Sequence, residues 1–170
     1  MRSNFHKSIY CMIAVFFITV SFINAQEIQF VNYKSGDFSK AETAQEKEGA
    51  NMDQPGTNAT EWNYGSIKNG STGYRYFKFT NTGNGPLVIS AAKGSCGCTV
   101  PTWPKDPVMP GQSNFIKVKY DTKRTGAFTK YVTLTTNAQT NTTTRLKILG
   151  TVSAPPTAPK SEPANKPVTE

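Results

Sequence analysis

The strongest constraint on the fold is a period-two alternation of apolar and polar residues through the middle of the chain. In the segment 73–80, Arg75, Phe77 and Phe79 fall on one face of an extended strand and their neighbours on the other. Runs of Asn, Gly and Pro between such segments predict turns, because these residues suit turn backbone angles. The pattern predicts an antiparallel β-sandwich of about seven strands, at 61–64, 73–80, 87–91, near Thr99, and at 113–120, 127–135 and 142–152. Its predicted core is Phe77, Phe79, Leu87, Ile116, Val118, Val132, Leu134, Leu146 and Ile148.

Several short motifs occur within these turn regions. They are N-T-G-N-G-P-L at 81–87, S-C-G-C-T at 95–99, W-P at 103–104, P-G at 110–111, and Y-D-T at 120–122 followed by Gly126 and Phe128. In these motifs the sequence resembles the bacterial domain-of-unknown-function family fifteen seventy-three, over roughly Trp62 to Val152. Members of that family are similar to secreted immunoglobulin-like modules. The resemblance implies an immunoglobulin-like fold and an exported protein, and it implies no established activity.

The first 25 residues have the composition of a cleavable signal peptide. Arg2 and Lys7 precede an apolar run from Ile9 to Ile23, and Ala25 precedes the expected cleavage point. An uncleaved membrane anchor is the rival interpretation, but a run of about fifteen residues is short against the roughly 20 that span a bilayer. We therefore expect an exported protein, periplasmic or extracellular, without a stable membrane anchor.

The rest of the chain divides into a central domain and two flanks. Residues 26–59 are acidic with few large apolar side chains, which predicts a flexible lead-in because they cannot bury enough surface to offset their ordering entropy. The weak alternation at 26–31 would suit an added edge strand, and 39–48 would suit a short helix. Residues 60–152 form the predicted immunoglobulin-like domain, and 153–170 form a proline-rich tail that we expect to be disordered.

Removal of the leader would leave a chain without histidine, because the single histidine is His6. Serine and cysteine nucleophiles activated by histidine are then excluded, together with histidine metal ligands. The two aspartates of the central domain, Asp106 and Asp121, are separated along the chain and flanked by turn residues, so they do not suggest a catalytic carboxylate pair. We expect a non-enzymatic protein with no cofactor and no metal.

Positive charge is concentrated in the central domain. Residues 60–152 contain 12 Lys and Arg against three acids, whereas 26–59 contain three Lys against six acids. An exported basic domain attracts acidic proteins or anionic glycans, and nucleic acid is not an expected partner outside the cytoplasm. An outward stripe of Phe115, Lys117 and Lys119 could meet such a glycan, although a solvated strand face is the more ordinary interpretation.

The pair Cys96 and Cys98, separated only by Gly97, is the most chemically suggestive feature. Residues two apart in a straight strand have Cα atoms about 6.6 Å apart, near the upper limit for a disulfide, so a bond requires a turn at Gly97. Export favours the bonded form. Four states remain open: a local disulfide, thiol–disulfide exchange by a strained and exposed pair, capture of Cu(I) with Met109 as a third ligand, and a bond to another chain.

The loop that contains the cysteines continues to Trp103 and Lys105. Trp103 lies close to two prolines and suits either a ligand-stacking platform or a lid over one end of the sandwich. Function in such folds usually lies in loops. The sequence therefore favours an exported, non-enzymatic immunoglobulin-like module that uses the Cys96–Trp103 loop to bind an envelope protein or an anionic glycan. A thiol-redox or Cu(I)-binding protein is the alternative.

Overall fold

The computed structural model describes residues 25–32, 34, 44–50 and 58–155. Within them the chain forms eight β-strands and one short helix. These elements are β1 (Ile28–Val31), α1 (Ala44–Ala50), β2 (Glu61–Lys68), β3 (Tyr74–Asn81), β4 (Ile89–Gly94), β5 (Thr99–Thr102), β6 (Ser113–Tyr120), β7 (Gly126–Thr136) and β8 (Thr143–Ser153). The predicted signal peptide and most of the predicted tail lie outside the described residues. Within the described ranges, no helix is long and apolar enough to cross a bilayer.

The strands form two four-stranded sheets. The first sheet has the order β1-β3-β6-β5, and the second has the order β2-β8-β7-β4. The predicted all-β, immunoglobulin-like sandwich is therefore confirmed, with eight strands in the described residues instead of about seven. One pairing corrects the prediction of a purely antiparallel arrangement, since β2 and β8 are parallel. Most of the domain separates these two strands along the chain, so no tight turn imposes antiparallel pairing on them.

The core lies between the sheets, where alternate residues of each strand point inward. All nine residues of the predicted core are buried. The core also contains two large aromatic side chains that the alternation did not single out, Trp62 and Tyr64, and it contains Tyr120, which alternates with Lys119 on the same face as Ile116 and Val118. Trp62 packs edge-on against Phe77, with ring centroids 6.4 Å apart. Such an aromatic pair stabilises the fold beyond the area that it buries.

The strands run between two ends of the sandwich. We call the end with the turns at 69–73, 95–98 and 121–125 the disulfide end, and the end with the turns at 82–88, 108–112 and 137–142 the Asn81 end. Strands β3 and β6 connect the two ends, because Tyr74 pairs with Lys119 at the disulfide end and Thr80 pairs with Ser113 at the Asn81 end. A strand as long as β6 spans about 26 Å at roughly 3.3 Å per residue. Side chains at opposite ends therefore cannot share one site.

A single buried amide organises the Asn81 end. The Asn81 side chain is 0% exposed, and its NH₂ group donates hydrogen bonds of 2.8 Å to the carbonyl oxygens of Gly85 and Val108. Its side-chain oxygen accepts the N–H of Gly83 at 3.0 Å, and its backbone carbonyl accepts the N–H of Gly111 at 2.8 Å. Because one residue joins the N-T-G-N-G-P-L turn to the P-G turn, both motifs have a structural explanation.

Helix α1 covers part of the outer face of the first sheet. Tyr76 points outward by strand alternation and is nevertheless completely buried, because α1 packs over β3. Lys117 forms an ion pair with Glu46 of the helix, with 2.5 Å between Nζ and Oε1. The expected outward stripe is thereby corrected: Lys117 is engaged by the helix, and Phe115 is half-buried with its ring edge-on to Tyr76. Lys119 is the one member of the stripe that is exposed.

Two parts of the predicted lead-in thus lie against the sandwich. In addition to α1, strand β1 pairs antiparallel with β3 at the edge of the first sheet and buries Ile28 in the core. The N–H groups of Thr82 and Gln139 donate to the carbonyl oxygens of Glu27 and Gln26, respectively. The sheet supplies the backbone partners and the apolar surface that this acidic segment lacks, so its ordering entropy can be offset.

Candidate functional site

The segment with the two cysteines is a crossover between the sheets. Strand β4 is an edge of the second sheet, β5 is an edge of the first, and residues 95–98 connect them. Cys96 and Cys98 form a disulfide with their Cα atoms 5.2 Å apart, closer than the spacing of about 6.6 Å in a straight strand. Gly94 permits this tight path, since a Cβ atom there would clash with the carbonyl oxygen of Thr99.

Hydrogen bonds fasten the crossover to both sheets. The N–H of Ser95 donates to the carbonyl oxygen of Tyr131 in β7 at 2.8 Å, and the N–H of Tyr131 donates to Ser95 Oγ at 3.1 Å. On the other side, the N–H of Asp121 donates to the carbonyl oxygen of Cys98 at 2.9 Å. Since Asp121 directly follows β6, the S-C-G-C-T and Y-D-T motifs meet in space at the disulfide end.

The two cysteine residues differ in their exposure to solvent. Cys96 is half-buried, whereas Cys98 is only 7% exposed. The expectation of an exposed pair is therefore wrong for Cys98. Attack by an outside thiolate requires access to sulfur, so thiol exchange would have to begin at Cys96. Redox activity of the pair stays a prediction.

A groove of about 530 Å³ opens beside the crossover, and we call it the signature groove. Its lining includes Gly97, Cys98, Val100, Lys119, Asp121 and Lys123. Val100 is 54% exposed, which is unusual for a large apolar side chain in this domain. Lys119 and Lys123 are exposed, while Asp121 forms an ion pair with Arg124 at 3.2 Å. The groove therefore combines an apolar patch with an excess of positive charge.

An aromatic cluster supports the groove from the core side. Tyr120 stacks on Phe128 with ring centroids 3.9 Å apart, and Tyr64 meets Phe128 edge-on at 5.4 Å. The Tyr64 hydroxyl donates to the carbonyl oxygen of Gly73 at 2.8 Å. Burial raises the pKa of Tyr64 and the pKa of Tyr120, so each hydroxyl stays protonated to a higher pH than an exposed tyrosine hydroxyl does. The buried Arg75 guanidinium lies 4.2 Å from the centre of the Tyr64 ring, and burial lowers its pKa.

Trp103 and Lys105 lie beyond the other end of β5. Trp103 is half-buried, and its indole N–H donates to the carbonyl oxygen of Ile89 in β4 at 3.1 Å. The Lys105 ammonium group lies 3.2 Å from the centre of the Trp103 ring. A side chain of the same loop thus already covers one face of the indole. This arrangement suits a lid over the seam between β4 and β5 better than an open stacking platform.

Met109 lies far from the two cysteines. The N–H of Gln112 donates to the carbonyl oxygen of Met109, which places Met109 just before β6. Cys98 lies at the opposite end of that strand, since its carbonyl oxygen accepts a hydrogen bond from Asp121, the residue just after β6. The length of that strand, about 26 Å, separates them. The expectation of Met109 as a third copper ligand is therefore wrong. Among the residues that the structure describes, no three or more His, Cys, Asp and Glu side chains are grouped to hold a metal ion.

Sequence reasoning did not single out Val100, Tyr120 or Lys123 as site residues, and it assigned Lys119 to a solvated stripe. The available signal was the joint presence of S-C-G-C-T and Y-D-T in the family resemblance. Two separate turn motifs that belong to one signature suggest a shared location, but neither motif contains a residue whose chemistry requires a ligand. Only the crossover from β4 to β5 shows that they line one groove.

Two face-packed sheets, a disulfide crossover and an open groove define an immunoglobulin-like β-sandwich module. The sequence model of the family described as "Protein of unknown function (DUF1573)" matches residues 56–152. The chain therefore belongs to this family, and the resemblance drawn from its motifs is confirmed. Among curated proteins, no sequence matches the chain.

Solved structures with similarity to this chain include a protein of unknown function from Porphyromonas gingivalis W83. It shares 13% identity at a TM-score of 0.54, over 79% of this chain and 50% of that one, so the present chain spans half its length. The periplasmic chaperone SfaE matches at 15% identity and a TM-score of 0.40, over 57% of this chain and 58% of that one. PapD-like domain 7 of human CEP192 matches at 9% identity and a TM-score of 0.44, over 56% of this chain and 83% of that one. The likeness to the P. gingivalis protein shows a shared fold alone.

Proposed function

We propose that the chain is an exported, non-enzymatic binding module that holds an acidic segment of an envelope protein in the signature groove. One observation carries this proposal: the S-C-G-C-T and Y-D-T motifs line the same groove, with exposed Val100 and two exposed lysines at its surface. The proposal retains, as the contact surface, the first half of the predicted Cys96–Trp103 loop, which contains the two cysteines. Its second half, around Trp103, is occupied by internal contacts.

The charge distribution favours an acidic ligand. Lys119 and Lys123 lie on the groove, and the carboxylate of Asp121 is already neutralised by Arg124 and by the N–H of Lys123. An incoming carboxylate would therefore meet unopposed positive charge. Exposed lysines in high dielectric contribute mainly to the rate of association and to selectivity, and we expect the interaction to weaken with salt.

The adjacent strand favours a peptide over a sugar as the ligand because of its exposed aliphatic side chain. Val100 of β5, the edge strand of the first sheet, offers an apolar contact that suits a peptide side chain. Main-chain addition of a peptide to the outer side of β5 would lack donors on this strand, since Pro101 has no N–H and the N–H of Thr99 donates to the carbonyl oxygen of Cys96.

A photo-crosslinker in place of Val100 tests the proposal in envelope extract. We expect a discrete crosslinked protein that disappears when Lys119→Glu and Lys123→Glu are introduced together. Lys93→Glu, an exposed lysine of β4 in the second sheet, is the matched control and should leave the product unchanged. Equal crosslinking by the unaltered crosslinker protein, the double lysine variant and the Lys93→Glu control would contradict the proposal. Loss caused only by the double change Trp103→Ala and Lys105→Ala would place the contact on the other half of the loop and also contradict it.

A further inference from the structure

The outer face of the first sheet is a second surface with the chemistry of a binding site, and it shares only Lys119 with the signature groove as described. Its aromatic residues Tyr74, Tyr76 and Phe115 lie among the cations Lys117 and Lys119, whose ammonium groups are 5.9 Å and 5.3 Å from the Tyr74 ring. The outer face of an immunoglobulin-like sheet is ordinarily polar, as alternation with the core requires. Exposure of such an aromatic face to water is unfavourable, so the face must be covered by another segment.

Helix α1 is that cover, and two of its residues make the decisive contacts. Glu46 is only 5% exposed and forms its ion pair with Lys117. Gly49 lies against the backbone of Tyr74, where a Cβ atom would clash with the carbonyl oxygen. Residues three apart share one face of a helix, so Glu46 and Gly49 form a single recognition edge, Glu-x-x-Gly.

The helix owes its structure to this contact. A seven-residue helix is too short to be stable alone in water, so docking must supply most of its stability. The DUF1573 match begins at residue 56 and thus includes the covered face but not the helix that covers it. The face therefore lies within the matched residues, whereas the helix that covers it lies in the segment before them.

We propose that the outer face of the first sheet is a docking site for an acidic helix with a Glu-x-x-Gly edge on a partner protein, and that α1 is the chain's own competitor for this site. The negative helix complements Lys117, and the glycine allows close approach to strand β3. A partner helix must displace α1, so its apparent affinity is its intrinsic affinity multiplied by the fraction of molecules in which α1 is undocked.

A labelled peptide with the sequence of residues 41–53 is the probe, and fluorescence anisotropy measures its binding to the full chain. In the Gly49→Leu chain the helix can no longer dock, so the peptide should bind at least about tenfold more tightly than to the wild type. Lys47→Leu is the matched control, because Lys47 is exposed on the same helix and leucine there causes no clash. Equal affinity for all three chains would overturn the proposal.

Charge recognition has its own test. In the Gly49→Leu chain, Lys117→Glu should weaken peptide binding by about tenfold, and a peptide with Glu46→Lys should restore it. Failure of the swapped pair to recover binding would show that Lys117 does not select the partner by charge.

If Gly49→Leu lowers folding yield, a Glu46→Lys chain is the second variant. Repulsion between the introduced lysine and Lys117 would then undock the helix by charge alone, and this chain must show the same increase in peptide affinity. A wild-type dimer that the peptide dissociates would show that α1 covers a second copy, which contradicts competition within one chain. Lys119, which lies on both surfaces, is left unchanged throughout, so a change in peptide binding between these chains follows from the outer face and not from an altered signature groove.

Discussion

The two ends of the sandwich close in different ways. At the Asn81 end, one buried amide satisfies two carbonyl groups and one N–H group, and the turns pack around it. At the disulfide end, backbone hydrogen bonds and a disulfide hold the crossover, and a groove with exposed Val100 remains open beside it. The comparison shows that one end of the domain is closed by buried hydrogen bonds, whereas the other end keeps an open groove, which is where we propose that binding occurs.

The family signature divides along the same line. The N-T-G-N-G-P-L and P-G motifs lie at the Asn81 end, where their hydrogen bonds explain them as structural elements. The S-C-G-C-T and Y-D-T motifs lie at the disulfide end and line the groove. Substitutions at the two ends should therefore affect different properties, stability at the first and binding at the second.

The largest effect is expected at the Asn81 end. Asn81→Ala leaves the buried carbonyl oxygen of Gly85 without its side-chain donor, and a buried group left unsatisfied costs about 1–3 kcal/mol. The carbonyl oxygen of Val108 loses one of two donors, because it keeps the N–H of Leu87, and the N–H of Gly83 loses its acceptor. We expect a loss of about 2 kcal/mol or more in the free energy of unfolding, measured by urea denaturation. Asn63→Ala, which removes an exposed turn hydrogen bond to Gly65, should cost less than about 1 kcal/mol. Similar losses in the two variants would remove the special role of Asn81.

The disulfide should contribute less than that amide. Replacement of Cys96 and Cys98 by serine should lower the free energy of unfolding by about 1.5 kcal/mol, because a loop of about three residues constrains the unfolded chain only slightly. The backbone bonds of Ser95 and Asp121 should keep the crossover in place. Urea denaturation of the oxidised wild type, the reduced wild type and the double variant checks this. A loss above about 3 kcal/mol would show that both ends depend on one strong closing element.

A smaller effect, with a defined pH dependence, is expected for Tyr64 beneath the groove. Tyr64→Phe removes the hydrogen bond to Gly73 and should cost about 1 kcal/mol at neutral pH. Burial raises the pKa of Tyr64 in the folded state above that of the unfolded chain, which is about 10. The corresponding stability is fully present below about pH 10 and is lost as the pH rises further, because only the unfolded chain ionises readily. Between about pH 9 and about pH 11, the free energy of unfolding from urea denaturation should therefore fall less steeply for Tyr64→Phe than for the wild type. Parallel pH profiles would contradict the assignment.

The smallest effect on stability is expected in the groove itself. Lys119→Glu and Lys123→Glu change exposed side chains, so each should alter the free energy of unfolding by no more than about 0.5 kcal/mol. The same double change should abolish crosslinking from position 100. Thermal unfolding of the purified variant provides the measurement. A large loss of stability would mean that these lysines serve the fold, and the contrast between the two ends would fail.

The fold was largely predictable from the sequence, while the candidate site was predictable only in part. Alternation identified the strands and all nine core residues, because a side chain's face in a strand depends on its position alone. The same alternation placed Tyr76 and Phe115 outside, where a distant helix covers them. It also missed that β4 ends in a crossover, since turn residues indicate where the chain bends but not which sheet it enters.

The sequence by itself determined the sandwich, its core, the family and the turns, because each of these follows from local spacing and residue type. Tertiary structure alone decided that Cys98 contacts Asp121, that Met109 lies a strand's length from the cysteines, and that β2 pairs parallel with β8. It also decided that Glu46 reaches Lys117 across more than half of the domain's sequence. These contacts depend on how remote strands and segments pack against one another, and no period in the sequence records that packing.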